Sequence, residues 1–133
     1  MARKLLLLLS LATVLSLAQT DATTTGGMLN GRAWQAAGRD ARLMYVRGIE
    51  EGLVLAAGLV SCKPDEDILL KHPAPEFHPS DYIDEINAFY QKSSNIRIPI
   101  FYAWEYANAR FEGASQQQLD SLMQSFNAYV GKH

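Results

Sequence analysis

Apolar residues recur along residues 40–60 with the period of an amphipathic helix. Positions three or four residues apart lie on one side of an α-helix. That side would carry Tyr45, Ile49, Gly52, Leu53, Ala56 and Val60. Arg47, Glu50 and Glu51 cluster on the other side. We expect this long helix to be the element around which the rest of the chain packs.

The same segment carries a row of small residues, since Gly48, Gly52 and Ala56 are four positions apart. A glycine inside a helix costs about 1 kcal/mol relative to alanine, so two of them suggest a compensating packing gain. We interpret the row as a tight helix crossing within the chain. The alternative is a groove that stays open for a ligand or a partner.

Three later segments show the same period. Residues 81–92, 99–112 and 116–130 each place an apolar stripe on one face. The stripes consist of Tyr82, Ile83, Ile86, Phe89 and Tyr90; of Ile100, Ala103, Trp104, Ala107 and Phe111; and of Leu119, Leu122, Met123, Phe126 and Val130.

Helix boundaries are also predicted by residue type. Ser80 or Asp81 can cap the second long helix. Pro99 suits the first turn of the third, Gly113 suits the position after its end, and Ser115 with Gln118 forms a capping box for the last.

Residues 28–37 predict a short first helix with Asn30 as its N-cap. No segment alternates apolar and polar residues long enough to predict a strand, and residues 95–100 are the only short candidate. The fold class is therefore all-α: a compact bundle of four main helices plus a short N-terminal helix.

The first residues have the pattern of a secretory signal peptide. Arg3 and Lys4 precede an apolar run, and Ser16 and Ala18 suit a cleavage site. The alternative is an uncleaved anchor. We divide the chain into a signal peptide (1–18), a flexible lead-in (19–27) and a single helical domain (28–133). We expect the protein in the periplasm or secreted, without stable membrane insertion after cleavage.

Charge and cysteine content narrow the functional classes. The whole chain has 12 basic and 14 acidic residues, and cleavage would remove two of the basic ones. A mildly acidic chain without a basic run argues against nucleic acid as a partner.

Cys62 is the single cysteine, so no intramolecular disulfide is possible. It is either buried or pairs between chains, as in a structural envelope component that dimerises through Cys62.

The residues predict neither a catalytic site nor a cofactor. One segment with several prolines holds His72, Glu76 and His78, but this spacing matches no standard zinc pattern. We therefore assign no metal ligands. The alternative is a small metal-dependent hydrolase that uses these three side chains.

Residue types favour binding of another protein. Aromatic and arginine side chains dominate protein-binding surfaces. The candidates are Arg32, Trp34, Tyr45, Arg97 and Tyr102. The alternative interpretation is that the aromatic residues belong to the core and the arginines to the ordinary surface.

The order NGRAW, YVRGIEEG, DYIDEINAFY and NIRIPI resembles a group of small exported bacterial helical proteins without an established activity. More distantly, a helix with Tyr45, Gly48 and Gly52 that leads to Cys62 is similar to the Rap-type and Tai-type immunity proteins of type VI secretion. This resemblance implies a periplasmic helical protein that binds and blocks a toxic amidase. Those proteins usually carry a second cysteine near the C-terminus, which this chain lacks. We expect an exported, non-catalytic protein-binding module whose partner is another protein of the cell envelope, with an immunity-like or inhibitor-like role as the resemblance implies.

Overall fold

The computed structural model describes residues 23–60 and 76–133, with only the backbone for residues 58–60. The predicted signal peptide, Cys62 and His72 lie outside the described residues. The helices are α1 (Gly31–Ala36), α2 (Arg39–Val60), α3 (Pro79–Gln91), α4 (Ile100–Phe111) and α5 (Gln116–Lys132). A 3₁₀ turn (Ser93–Asn95) precedes α4, and a small hairpin, β1 (Thr24–Thr25) and β2 (Met28–Leu29), precedes α1. The predicted all-α bundle of four main helices and one short helix is confirmed.

Most of the predicted helix boundaries are confirmed. The Asn30 side chain accepts a hydrogen bond from the Arg32 N–H at 3.0 Å and caps α1. The Ser115 N–H donates to Gln118 Oε1 at 2.8 Å, which is one half of the predicted capping box. Gly113 follows α4 with a φ of +79°, a backbone conformation that favours glycine.

The start of α3 differs from the prediction of Ser80 or Asp81 as N-cap. His78 is the N-cap, and its N–H donates to the Asp81 carboxylate at 2.7 Å. Pro79 takes the first helical position, where its missing N–H costs nothing. The proline therefore moves the cap two residues or more toward the N-terminus.

The hairpin lies where the sequence predicted a flexible lead-in. Thr24 pairs with Leu29 and Thr25 with Met28 in antiparallel register. The Thr25 hydroxyl donates to the Arg97 carbonyl at 2.6 Å and accepts from the Asn30 amide at 3.2 Å. Side-chain hydrogen bonds, one of them over a long sequence separation, thus order this short polar segment, and α1 begins at Gly31 instead of residue 28.

Residues 95–100 do not form the strand for which they were the only candidate. They contain the end of the 3₁₀ turn and a bend, and only Pro99 pairs with Asn30 in an isolated bridge.

The centre of the bundle is α3, with α2 on one side and α4 on the other. The predicted stripe of α3 is buried throughout. The Tyr82 ring stacks on Trp104 with centroids 5.5 Å apart and meets the Phe111 ring edge-on at 4.9 Å. The expectation that the long helix is the central element is wrong, because α2 covers only one side of α3.

Gly31 allows α1 to approach this centre closely. A Cβ atom at Gly31 would lie 2.5 Å from the Tyr90 ring and 3.0 Å from the Ile96 carbonyl oxygen. The Gly31 N–H donates to that same carbonyl at 3.0 Å. Only a residue without a side chain fits this contact.

Across the described ranges, none of the helices is both long and apolar enough to cross a membrane.

Candidate functional site

Trp34, one of the five candidate binding residues, belongs to the core. Its side chain is only 1% exposed. The indole Nε1 donates to Asn87 Oδ1 at 2.8 Å, and the Arg42 guanidinium lies 5.3 Å from the ring centroid. The ring therefore offers no surface to a partner, and the alternative interpretation of a core aromatic is the correct one.

Arg42 joins three helices at this point. It donates to Asn87 Oδ1 on α3 at 3.1 Å and to the carbonyl oxygens of Trp34 and Gln35 on α1 at 2.9 and 3.2 Å. These carbonyls belong to the last turn of α1, where helix carbonyls run out of intrahelical donors. The bridge is structural, because all three acceptors of the guanidinium belong to the fold itself.

Neither Arg42 nor Asn87, the two polar side chains of this bridge, was predicted from the sequence, although a signal for both existed. Arg42 precedes Tyr45 and Ile49 by three and seven positions, so it falls on the inward stripe of α2. Asn87 stands among the stripe residues Ile83, Ile86 and Tyr90 in the same way. A polar residue on an apolar stripe indicates a buried polar contact.

The structure brings Arg32 and Arg97 into one region. Both side chains are exposed, and the backbones of their neighbours, Gly31 and Ile96, share a hydrogen bond. Two exposed cations by themselves match no particular ligand.

The two remaining candidates, Tyr45 and Tyr102, are half-buried on other elements. The Tyr102 ring stacks on Phe126 of α5 with centroids 4.8 Å apart and meets Tyr129 edge-on at 5.3 Å. Tyr45 packs against the core cluster to which Tyr90 belongs. The five candidates therefore do not form one continuous site.

Tyr45 and Tyr90 have raised pKa values. Burial raises the pKa of Tyr45, and burial together with the charge of an ionised Tyr45 raises that of Tyr90. The Tyr90 hydroxyl donates to the Ile98 carbonyl at 2.8 Å. A protonated, hydrogen-bonded phenol is a structural group and not an acid or base at neutral pH.

A second set of side-chain hydrogen bonds links α3 to α4. The Tyr82 hydroxyl donates to Asn108 Oδ1 at 2.6 Å, and Asn108 Nδ2 donates to Glu112 Oε1 at 2.9 Å. These hydrogen bonds satisfy polar groups of Tyr82 and Asn108 in the core.

Of the three residues in the alternative metal site, the structure describes Glu76 and His78. Within residues 23–60 and 76–133, no three His, Cys, Asp or Glu side chains come together in a way that would hold a metal ion. The His72 part of that hypothesis lies outside these ranges.

An open groove of about 640 Å³ runs between the end of α4 and the first half of α5. Small and polar residues line it, among them Gly113, Ala114, Ser121 and Ser125. The two serine hydroxyls donate to helix carbonyl oxygens one turn earlier, at 2.9 and 3.2 Å. The groove therefore lacks an activated nucleophile.

The remaining candidate is the solvent side of α2. Three large apolar side chains lie there with most of their surface exposed: Met44 (67%), Val54 (60%) and Leu55 (66%). Gly48 and Gly52 are exposed beside them, and a Cβ atom added at either would meet nothing within 4 Å. We call this surface the outer face of α2; it comprises Met44, Arg47, Gly48, Glu51, Gly52, Val54 and Leu55.

The outer face corrects the interpretation of the glycine row. Gly48 and Gly52 do not mark a tight helix crossing within the described chain, since no described element covers them. Tyr45, Ile49 and Leu53 do turn toward the core, whereas Gly52, which the periodicity placed with them, faces outward. Exposed apolar side chains outside the main stripe were the signal for this face that sequence reasoning missed.

Comparisons of the chain with protein-family models, with curated proteins and with solved structures give no match. Three of the four exposed large apolar side chains in the described part of the chain, Met44, Val54 and Leu55, lie on the outer face of α2.

Proposed function

We propose that the protein is exported and non-catalytic and that it binds another protein in the cell envelope through the outer face of α2. The observation that carries the proposal is the exposure of Met44, Val54 and Leu55 on one helix. Large apolar side chains that stay in water on a folded chain mark interaction surfaces when they are grouped.

The glycines support a protein partner. Gly48 and Gly52 leave the backbone of α2 open between the apolar side chains, so a helix or strand of a partner can approach it closely. Each glycine lowers the intrinsic stability of the helix by about 1 kcal/mol, and no contact within the described chain offsets this cost. The packing of a partner against the glycines would provide the free energy that offsets this cost.

The surroundings of the face also suit a protein. Arg47 and Glu51 are exposed between Met44 at one end of the face and Val54 and Leu55 at the other, so the face offers charges of both signs as well as apolar side chains, and such charges give a protein interface its specificity. The export signal predicted for residues 1–18 supports a partner in the periplasm or outside the cell. The resemblance to immunity proteins, if shared in function, makes that partner an envelope toxin.

Affinity capture from an envelope fraction tests the proposal. The tagged wild-type protein, a Leu55→Glu variant and a Gln124→Glu control are compared by mass spectrometry of the captured proteins. Gln124 is an exposed position on α5, so the control introduces the same charge away from the outer face. We expect a stoichiometric partner with the wild type and the control and its loss with Leu55→Glu.

Equal capture by all three proteins would show that the outer face of α2 is not the binding surface. Absence of any partner, together with turnover of a cell-wall substrate by the purified protein, would overturn the non-catalytic assignment. N-terminal analysis of the purified protein checks export separately, because cleavage after Ala18 leaves Gln19 as the first residue.

A further inference from the structure

The outer face of α2 has a symmetric spacing. Its central residues, Met44, Gly48, Glu51 and Leu55, are separated by four, three and four positions. The spacing reads the same in both directions about a point between Ile49 and Glu50. A helix face with this property brings each of these positions level with another of them when a second copy lies antiparallel to it.

The side chains match in that arrangement. A two-fold axis through the midpoint places Met44 opposite Leu55 of the second copy and Gly48 level with its Glu51. Met44 and Leu55 of each copy then meet an apolar side chain of the other. In a parallel pairing each residue would be level with the same residue of the second copy. The two Glu51 carboxylates would then face each other near the centre of the interface.

The charges match as well. At 100° per residue, Arg47 and Glu51 lie on the same flank of the face, one helical turn apart. The antiparallel two-fold axis keeps that flank on one side of the pair and brings Arg47 of each copy within one residue of Glu51 of the other. Two opposite-charge contacts form on that flank, while Gly48 and Gly52 occupy the other flank and permit a close approach.

We propose that the outer face of α2 binds a second copy of this chain in an antiparallel helix pair centred between Ile49 and Glu50. The inference goes beyond the proposed function and shares only its surface, because it assigns a second copy of the chain to the outer face of α2. It adds the identity of that occupant, its direction and the residues that specify it.

Self-association is measured by sedimentation velocity over a range of concentrations, on protein purified with its N-terminus as processed in the cell. All variants carry Cys62→Ser, so that a disulfide between chains does not contribute. We expect a reversible monomer–dimer equilibrium that Leu55→Glu weakens at least about tenfold and that Gln124→Glu leaves unchanged.

Charge reversal tests the direction of the pair. Arg47→Glu and Glu51→Arg each create like-charge contacts, and we expect each to weaken the dimer about tenfold at low salt. The double variant restores opposite charges across the interface, so its affinity should return to that of the parent. Equal weakening in the single and double variants would contradict the proposed register.

Cysteine crosslinking tests the register without reference to affinity. Met44→Cys and Leu55→Cys are made separately in the Cys62→Ser background. In the antiparallel pair the two copies of residue 44 are about 16 Å apart along the helix axis, beyond the reach of a disulfide. We expect the mixture of the two variants to crosslink on oxidation and each variant alone to form no disulfide-linked dimer.

The outcomes separate this inference from the proposed function. Crosslinking of each variant alone, or a chain that stays monomeric at every concentration, overturns the antiparallel pair. If the chain is monomeric while Leu55→Glu still abolishes capture of an envelope protein, the self-pairing fails and the proposed function stands. If the antiparallel dimer forms and no other protein is captured, the inference stands and the heterologous partner is refuted.

Discussion

Helices α2 and α3 lie side by side, yet they bury their apolar residues to different depths. The 13 residues of α3 include five buried large side chains, whereas Val46 is the one buried side chain described among the 22 residues of α2. α3 has a neighbouring helix on each side, whereas α2 makes its main helix contact with α3 alone. An apolar stripe indicates which way a helix faces; the number of neighbours determines how much of it is buried.

The glycines repeat this contrast. Gly31 is pressed against the Tyr90 ring, while Gly48 and Gly52 face open space. The same residue type therefore serves close packing at one position and leaves a surface open at the other two.

Truncation of the core should have the largest effect on stability. Ile86 of α3 is fully buried, so Ile86→Ala removes buried methyl groups, leaves a cavity and should lower the free energy of unfolding by about 2–5 kcal/mol. Val54→Ala on the outer face of α2 should change it by less than about 0.5 kcal/mol. Urea unfolding followed by circular dichroism measures both, and comparable losses would mean that the outer face is covered.

Substitution of the glycines by alanine should give effects of opposite sign. Gly31→Ala forces the Tyr90 ring to move and should cost about 1–3 kcal/mol. Gly48→Ala meets nothing and should raise the stability by up to about 1 kcal/mol, through helix propensity alone. The comparison is made by the same urea titration, and a destabilised Gly48→Ala would argue for an internal contact at that position.

Tyr90→Phe should have a smaller effect that depends on pH. Loss of the hydrogen bond to the Ile98 carbonyl should cost about 1 kcal/mol at neutral pH. Because burial raises the pKa of Tyr90 above its ordinary value of 10.0, the folded chain holds this proton after the unfolded chain has released it. Wild-type stability should therefore fall as the pH rises above about 10.

A comparison of the wild type with Tyr90→Phe isolates that titration. Above about pH 10 the difference in unfolding free energy between the two proteins should narrow, since the variant lacks the titrating hydroxyl. Unfolding titrations at about pH 7 and about pH 11 measure it. A constant difference would show that the environment of Tyr90 does not raise its pKa.

Local rules predicted much of the fold. Asn30, Gly113 and Ser115 mark helix ends because each acts on backbone groups within a few residues. The stripes of α3, α4 and α5 were predicted for the same reason, since helical periodicity is a local property. The hairpin was not, because the hydrogen bond of Thr25 to the Arg97 carbonyl spans 72 positions and leaves no local signal.

The candidate site was less predictable. Residue type alone suggested Trp34 as a binding residue, but its side chain is buried in the core, where it donates a hydrogen bond to Asn87 and lies under the Arg42 guanidinium. The outer face of α2 depends on which side of the helix stays uncovered, and this is decided by the packing of α3 and α1. The periodicity of the sequence is compatible both with a tight helix crossing at the glycines and with an open groove. It therefore could not decide between these two interpretations.

The stability of a Gly52→Leu variant tests most directly whether the outer face of α2 is open. The measurement is urea unfolding at concentrations where sedimentation shows monomer only, with the wild type in parallel. If the face is open, leucine replaces glycine in an exposed helix position, and the variant should unfold at the same or a higher urea concentration, with a gain of up to about 1 kcal/mol. A loss of more than about 1 kcal/mol would show that another part of the chain packs on Gly52 and would contradict an open binding face.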